Sequence, residues 1–316
     1  MARLISLSEL TTEGGKQLLK ETYAGMIENV QKGTLSNLMK NANLSGNPAA
    51  GSVVAKRFEN TESNDYGTAR SGNAGQALVS TEVTIQLDTD KELINEAEEK
   101  DLAMNTVDGL IAKKSAQNQK SMERELDRAF FAVAEANGTE VFTAETDIGK
   151  IFNAVVKPLK TLQNDFIDGV DPDDIWVVMN TDTYDLIRDK VDSLDNANVT
   201  SDIGSLGKYH GIKVAENIRQ TAEFIVMLQG AIAQPVATTL DNADKFPASN
   251  AWHFGLFYTY GTAAVMSDCI FTKFAYELTT DVAIDAGATY YTKSGSVYTE
   301  VASPVVGSIG TYYERV

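Results

Sequence analysis

The chain has 316 residues, a formal net charge of −17 at pH 7 and 43% hydrophobic residues, which is enough apolar material for a folded core. Two histidines and one cysteine exclude a disulfide framework and a zinc cage of cysteine and histidine, and they leave little for histidine-based catalysis. The acidity argues against a dedicated nucleic-acid reader, because a negative surface repels phosphate groups.

The N-terminus lacks the pattern of a secretory signal, because polar residues interrupt its apolar ones. No apolar stretch reaches the ~18 residues that a membrane-spanning helix needs, so we predict no membrane partner. These features favour a protein made in a reducing cytoplasm, with Cys269 as a buried apolar side chain and not a nucleophile.

Residues 15–40 have apolar residues at helical spacing, and Gly33 is expected to divide this helix in two. Residues 53–58 and 79–87 have the composition and alternation of two β-strands. The segment between them, 59–77, is polar and without a helical period. Two strands joined by such a long tip predict an extended arm and not a compact hairpin.

The longest helical pattern of the chain covers 93–137, where Asn137 and Gly138 are expected to end it. Its part from 106 to 136, if unbroken, would be about 46 Å long at ~1.5 Å per residue. The middle of this part is polar, which favours a strut across an open surface. Two ordinary helices that meet near Ser115 are the alternative.

From residue 148 onward the pattern alternates between helices and strands, beginning with a helix over 148–159. The continuous apolar run from Ile175 to Met179 is typical of a strand buried on both faces. Asn180 or Thr181 is expected to cap the helix that follows. Further strands are expected at 207–214, 223–228, 236–240 and 264–278, the last broken near Asp268, with a short helical turn at 230–234.

The tail from residue 279 changes composition and is rich in glycine, serine, threonine and tyrosine, which predicts a small β-rich appendage. Tyrosine suits a protein interface, but the tail tyrosines could equally form a small core of their own. Both interpretations stay open at this point.

No catalytic, cofactor or metal site is predicted, because phosphate-binding loops, nucleophile elbows and calcium loops are all missing from the sequence. His210 and His253 are expected to be structural, and turn formation explains the acidic segment 168–174. Glu96, Glu98 and Glu99 are expected to be charges on a helix surface. The nearest approach to a nucleic-acid site is interpreted as a solvated face of the long helix, with Lys113, Lys114, Lys120 and Arg124.

The order of these elements is similar to that of the tailed-bacteriophage major capsid proteins, which have the Hong Kong 97-type fold. Val53 to Leu87 resembles the extended arm of that family, the E-loop, and Glu92 to Asn137 resembles its spine helix. Weaker local likenesses follow. Residues 123–131 resemble the late spine, and 57–58 with 65–70 resemble the arm sequences. Residues 175–184 resemble a peripheral-domain strand and helix, and 211–233 resemble the later peripheral- and axial-domain strands.

The resemblance implies an α+β fold with four segments. These are an N-terminal arm (1–48), the extended β-arm (49–88), a peripheral domain with spine helix 93–137 together with an axial domain (89–278), and a β-rich C-terminal extension (279–316).

The function that the resemblance implies is a major capsid protein, without enzymatic activity, that self-assembles into an icosahedral shell around a double-stranded DNA genome. Its partners would be its own copies in pentamers and hexamers, with a separate scaffolding protein, a portal and a decoration protein as further candidates. It would enclose DNA without sequence-specific binding, lie in the virion and be assembled in the host bacterial cytoplasm. The alternatives are another self-assembling protein, such as a tail-tube subunit or encapsulin-like nanocompartment, and a carboxylate-based cytoplasmic enzyme.

Overall fold

A computed structural model describes residues 6–61, 78–98, 100, 106–192, 207–240, 243–245, 251–278, 288–302, 304 and 312–315. The α-helices are α1 (Glu13–Gly33), α2 (Ser36–Met39), α3 (Val107–Asn137), α4 (Ile148–Lys160) and α5 (Thr181–Asp192). The chain forms two compact units: unit 1 contains Met1–Lys56, Glu82–Phe130 and Ala233–Ala263, and unit 2 contains Arg57–Thr81, Phe131–Ile232 and Ala264–Val316.

The strands, in chain order, are β1 (Leu44–Ser45), β2 (Ser52–Phe58), β3 (Ser80–Gln86), β4 (Thr89–Glu98), β5 (Thr139–Glu140), β6 (Gln163–Asn164), β7 (Ile167–Asp168), β8 (Ile175–Met179), β9 (Lys208–Tyr209), β10 (Ile212–Glu216), β11 (Phe224–Leu228), β12 (Ile232–Ala233), β13 (Val236–Leu240), β14 (Asp244–Lys245), β15 (Ala251–Tyr260), β16 (Ala263–Ala264), β17 (Ile270–Lys273), β18 (Tyr276–Leu278), β19 (Tyr291–Ser294), β20 (Val297–Glu300) and β21 (Tyr313–Arg315).

Unit 1 is built from an antiparallel sheet and two helices. β15 is the central strand, with β4 along one edge and β13 and β14 along the other. The sheet, α1 and α3 share one apolar core, because each element presents its apolar residues to the others. Its buried residues include Tyr23, Met26, Ile111, Met122, Leu126, Phe254 and Leu256.

The expected start of the long helix at residue 93 is wrong, because residues 89–98 form the strand β4. Leu93 and Ala97 lie four residues apart, a spacing that fits one face of a helix and equally one face of a strand. In the structure both residues lie on the core side of the sheet. The strand is formed because β4 pairs with β15 along ten residues. The partner, residues 251–260, is far away in the sequence, so the local pattern alone does not distinguish helix from strand.

The outer face of β4 is acidic. Glu92 and Glu96 are exposed there and Glu98 is half-buried, so Glu96 and Glu98 are surface charges as expected, although on a strand and not on a helix. Glu99 lies outside the described residues. Among the described strands β4 pairs only with β15, and charges along such an edge discourage uncontrolled pairing with other chains.

The N-terminal helix α1 is part of the unit 1 core, so the predicted description of 1–48 as an arm does not fit its helical part. Leu19, Tyr23, Met26 and Val30 of α1 are all buried. The division at Gly33 is confirmed: α1 ends there, and α2 begins at Ser36.

Unit 2 contains a six-stranded sheet in the order β5-β17-β11-β8-β10-β9. The predicted strand Ile175–Met179 is β8, and four of its five residues are buried. Helix α4 packs on β11 and β17 and contacts α5. The cap predicted for α5 is Asn180, whose Oδ1 accepts a hydrogen bond from the backbone N–H of Thr183 at 3.0 Å.

The sequence predicted a strand break near Asp268 and a helical turn at 230–234, and only the first is present. The break near Asp268 is confirmed, because a short 3-10 turn at Ser267–Cys269 separates β16 from β17. The helical turn expected at 230–234 is wrong: a turn at Gly230, whose φ is 89°, leads into the short strand β12. Gly230 allows this reversal because glycine tolerates a positive φ.

Candidate assembly elements

The β-arm consists of β2 and β3, and both predicted strands are confirmed. The Lys56 ammonium lies 2.5 Å from the Glu82 carboxylate, and the backbone N–H of Glu59 donates to the Val79 carbonyl at 3.1 Å. The predicted polar tip lies mostly outside the described residues, which resume at Leu78.

Apolar side chains are exposed where the described part of the β-arm ends. Phe58 is 52% exposed, Val79 44% and Leu78 81%. Exposed apolar residues scattered singly are normal on a protein surface, but here three lie on adjoining ends of a strand pair. The arrangement provides an apolar surface that burial against another chain would stabilise.

A second ionic contact holds the last residues of β2, directly before Phe58, and we call it the arm anchor (Arg57, Asp268, Asn164 and Phe166). The Arg57 guanidinium donates two hydrogen bonds to the Asp268 carboxylate, at 2.7 and 2.9 Å, and lies 4.3 Å from the centre of the Phe166 ring. The Asn164 amide donates to the same carboxylate at 2.6 Å. Burial alone would raise the pKa of Asp268, but the hydrogen bonds and charge of Arg57 and the bond from Asn164 outweigh it and lower that pKa.

The spine helix α3 is one unbroken helix of 31 residues, so the alternative of two helices that meet near Ser115 is wrong. Ser115 and Asn118, in the polar middle, are buried at 5% and 7% exposure. They lie on the same buried face of the helix as Ile111 and Met122. The expectation of a strut with an open middle therefore needs correction: the middle of one face is covered, by small and polar residues that a hydrophobic pattern does not detect.

The opposite side of α3 carries a basic row. Lys113, Lys120 and Arg124 are exposed, whereas Lys114 is half-buried. Each exposed cation lies two residues from a buried position, which is ~200° around the helix. The predicted solvated face therefore describes the three exposed cations.

Carboxylates of α3 point toward the rest of unit 1. Glu125 accepts hydrogen bonds from Lys91 at 3.1 Å and from the Tyr260 hydroxyl at 3.0 Å. Asp127 accepts from the backbone N–H groups of Leu35 and Ser36, at 3.3 and 2.9 Å. Glu125 and Asp127 of this helix are thus used for contacts within unit 1.

The C-terminal extension forms part of a four-stranded sheet in the order β18-β21-β19-β20, the tail sheet. Its β character is confirmed, but β18 begins at Tyr276, before the predicted boundary at 279. The tyrosines pack on one another, with the Tyr276 and Tyr298 rings stacked at 4.0 Å between centroids. Tyr290 and Tyr312 are buried, at 1% and 6% exposure. Of the two open interpretations, the structure favours a small core of their own.

The last strand is fixed by a group that we call the tail latch (Arg315, Glu140 and Tyr276). Arg315 donates to the Glu140 carboxylate at 2.8 Å and to the Tyr276 hydroxyl at 3.0 Å. The Tyr276 hydroxyl in turn donates to Glu140 at 2.5 Å. Burial, together with the hydrogen bond to Glu140, raises the pKa of Tyr276, so this hydroxyl keeps its proton at neutral pH. Arg315 also lies 4.0 Å from the centre of the Phe274 ring.

The residues considered for catalysis have structural surroundings. His210 occupies the turn between β9 and β10 at a φ of 51°, and His253 lies on β15 between Glu96 of β4 and Asp244 of β14. Cys269 is buried, and burial raises the pKa of its thiol to about 12, so the nucleophilic thiolate is scarce at neutral pH.

The acidic turn at 168–174 engages protein partners. Asp173 lies 2.8 Å from the Lys208 ammonium, whose hydrogen bond lowers the pKa of Asp173, and Asp168 accepts from the Gln163 amide at 3.0 Å. Within the part of the chain that the structure describes, no group of three or more histidine, cysteine, aspartate or glutamate residues could hold a metal ion. Among the helices described, none is long and apolar enough to cross a membrane.

Neither a family model nor a curated protein sequence matches this chain. Several solved structures are similar to it. A chain from Mycobacterium phage Che8 has 18% identity and a TM-score of 0.54, over 75% of this chain and 89% of that one. The virus-like particle from Pyrococcus furiosus has 12% identity and a TM-score of 0.51, over 81% and 98%. The capsid of an empty GTA particle has 12% identity and a TM-score of 0.52, over 76% and 88%.

These likenesses establish the fold class. The chain has the Hong Kong 97-type capsid fold, an α+β fold, as the sequence resemblance predicted. The sequence predicted no catalytic, cofactor or metal site.

Proposed function

We propose that this chain is the major capsid protein of a tailed phage, a structural protein that assembles into the icosahedral shell around a double-stranded DNA genome. The observation that carries the proposal is the capsid fold, which the chain shares with particle-forming chains across three quarters of its length. Its location would be the virion.

The β-arm is the proposed reaching element. Subunits around five- and six-fold axes meet through heterologous interfaces, in which one surface binds a different surface of the next copy. Phe58, Leu78 and Val79 supply apolar area for such a contact at the end of the described arm. Many weak contacts repeated around a closed shell add up to a stability far above that of one pair.

The predicted segments keep distinct proposed roles. The spine helix, now 107–137, would carry lateral contacts. The C-terminal extension would be a module with its own core and not an interface built from its tyrosines, since these are used internally. The net charge of −17 suits a container wall, because DNA phosphates are repelled by it and are not trapped. A scaffolding protein, a portal and a decoration protein are the proposed partners in the host bacterial cytoplasm.

A second candidate is the shell of a protein compartment. It is favoured by the Pyrococcus furiosus virus-like particle, of which this chain covers 98%. Both candidates predict closed spherical shells, so particle shape alone does not separate them. Their contents do: nuclease-protected DNA supports the phage capsid, whereas a protein cargo without DNA supports the compartment.

The test is size-exclusion chromatography of the expressed full chain followed by negative-stain electron microscopy. We expect spherical shells or their pentamers and hexamers. Hollow tubes would instead support a tail-tube subunit. A stable small oligomer that binds a metal or a substrate would overturn the structural role and support an enzyme.

A further inference from the structure

Unit 1 contains a cavity of about 260 Å³ where the end of α1, the segment around α2 and β1, the middle of α3 and strand β13 come together. Its walls combine apolar and polar residues, and the apolar part includes Val30, Leu44, Met122 and Leu126. At ~30 Å³ per water-sized group, it has room for a ligand of about nine non-hydrogen atoms.

The lining holds one charged residue, Lys40, and no carboxylate. Lys40 is half-buried, and burial lowers the pKa of its ammonium group. Among the ion pairs of the described residues none involves Lys40, although the chain has 44 acidic residues. Asp127, which contacts this segment, is occupied by the backbone N–H groups of Leu35 and Ser36. A cation without a carboxylate partner beside an apolar cavity is stabilised by an incoming anion.

Three further polar residues of the lining are buried: Thr34, Ser36 and Gln234. The Gln234 amide is 3% exposed and donates to the Leu126 carbonyl at 2.8 Å and to the Thr262 hydroxyl at 3.1 Å. Its donors are therefore used, and the Lys40 ammonium is the strongest donor left for a ligand. An apolar wall formed by Val30, Met122 and Leu126, with a single cation, fits a molecule with an apolar body and a single anionic head.

We propose that this cavity binds a small amphipathic carboxylate, whose acyl chain lies along Val30, Met122 and Leu126 and whose carboxylate pairs with Lys40. The site lies within unit 1 and is independent of the proposed shell function. Assembly, followed by electron microscopy, and ligand binding, followed by calorimetry, therefore succeed or fail separately.

The test is isothermal titration of octanoate, which has about ten non-hydrogen atoms, into the full chain at neutral pH. We expect octanoate to bind, octanol to bind more weakly and octylamine not to bind at this site. The variant Lys40→Met keeps most of the length of the side chain but removes the charge, and it should weaken octanoate binding about tenfold or more.

Two further variants control the experiment. Lys32→Met removes an exposed lysine of α1 that pairs with Glu28 and does not line the cavity, so octanoate binding should be unchanged. Ala42→Trp places a large side chain at an exposed lining residue and should weaken octanoate and octanol alike. The proposal is overturned if octanoate does not bind, if octanol or octylamine binds as tightly, or if Lys40→Met binds octanoate as the unmodified chain does.

Discussion

The β-arm and the tail sheet are both small pieces of β-structure, but they are held in different ways. The described arm strands leave Phe58 and Leu78 exposed, and the arm anchor at Arg57, next to Phe58, ties the end of β2 to Asp268. The tail sheet buries Tyr290 and Tyr312 and adds a latch at its last strand. A segment with an exposed apolar end is suited to binding a neighbour. A segment with its own core is suited to keeping its shape.

The largest expected effect comes from removing the core of the tail sheet. Tyr290→Ala deletes a ring that is 1% exposed, and aromatic-to-alanine changes of this kind cost about 3 kcal/mol or more. We expect the tail sheet to open, which hydrogen exchange would detect as faster exchange of backbone amides in 291–300. The six-stranded sheet of unit 2 should keep its protection.

The control for this variant is Tyr290→Phe, which keeps the ring and removes only the hydroxyl. It should retain most of the protection in 291–300. If Tyr290→Ala left exchange in the tail sheet unchanged, the tyrosines would not be its core, and an interface role for them would be restored.

A smaller effect is expected from breaking the tail latch. Arg315→Ala removes the ion pair with Glu140 and the contact with the Phe274 ring. The two charged side chains are 35% and 17% exposed, so solvent screening limits the cost to about 1–2 kcal/mol. Differential scanning calorimetry should show a lower Tm. Hydrogen exchange should show faster exchange of backbone amides only near β18 and β21. Arg315→Lys should recover part of it, and full recovery would mean that the planar guanidinium is unimportant.

The two regions also differ in how much of them could be predicted from the sequence. The alternation in 79–87 is a local signal, and it predicted β3 of the arm correctly. The arm anchor could not be predicted, because Arg57 and Asp268 are 211 residues apart and nothing in the local sequence pairs them. The core of the tail sheet has the same limit, since Tyr276 stacks on Tyr298 only after the strands have paired.

Unit 1 shows where a local pattern misleads. Leu93 and Ala97 have a spacing that fits a helix and a strand, and their strand is formed by pairing with residues more than 150 positions away. The continuity of α3 was predictable because strong helical signals lie at both of its ends. Its covered middle was not, because Ser115 and Asn118 are polar residues in buried positions.

The arm anchor should contribute about 1 kcal/mol, because solvent screens an ion pair whose side chains are 14% and 34% exposed. Arg57→Ala is expected to lower the Tm slightly and to raise proteolytic cleavage of the β-arm in the unassembled chain. Arg57→Lys keeps the charge but loses the pair of hydrogen bonds to Asp268. Its Tm and its resistance to proteolysis should therefore lie between those of the unmodified chain and Arg57→Ala. An arm equally resistant in all three proteins would contradict the anchor.

The same contact predicts a pH dependence with a defined sign. The pKa of Asp268 is lower in the folded chain than the value of about 4 expected when unfolded, so its contribution is fully present above pH ~4. That contribution is lost as the pH falls through the folded-state pKa. Comparing the unmodified chain with Asp268→Asn, the difference in Tm should shrink on acidification. A difference that grew below pH 4 would contradict this assignment.

The smallest effect on folding, and the sharpest test of the comparison, comes from the exposed end of the β-arm. Leu78→Ser changes a side chain that is 81% exposed, so the free energy of unfolding should shift by less than about 0.5 kcal/mol. If the arm end binds a neighbouring copy, the same change should reduce the fraction of protein in shells, measured by size-exclusion chromatography. Ile218→Ser, at a residue 65% exposed but outside the arm, is the matched control. If both variants assembled equally well, the exposed apolar end of the arm would not be one of the contacts that build the particle.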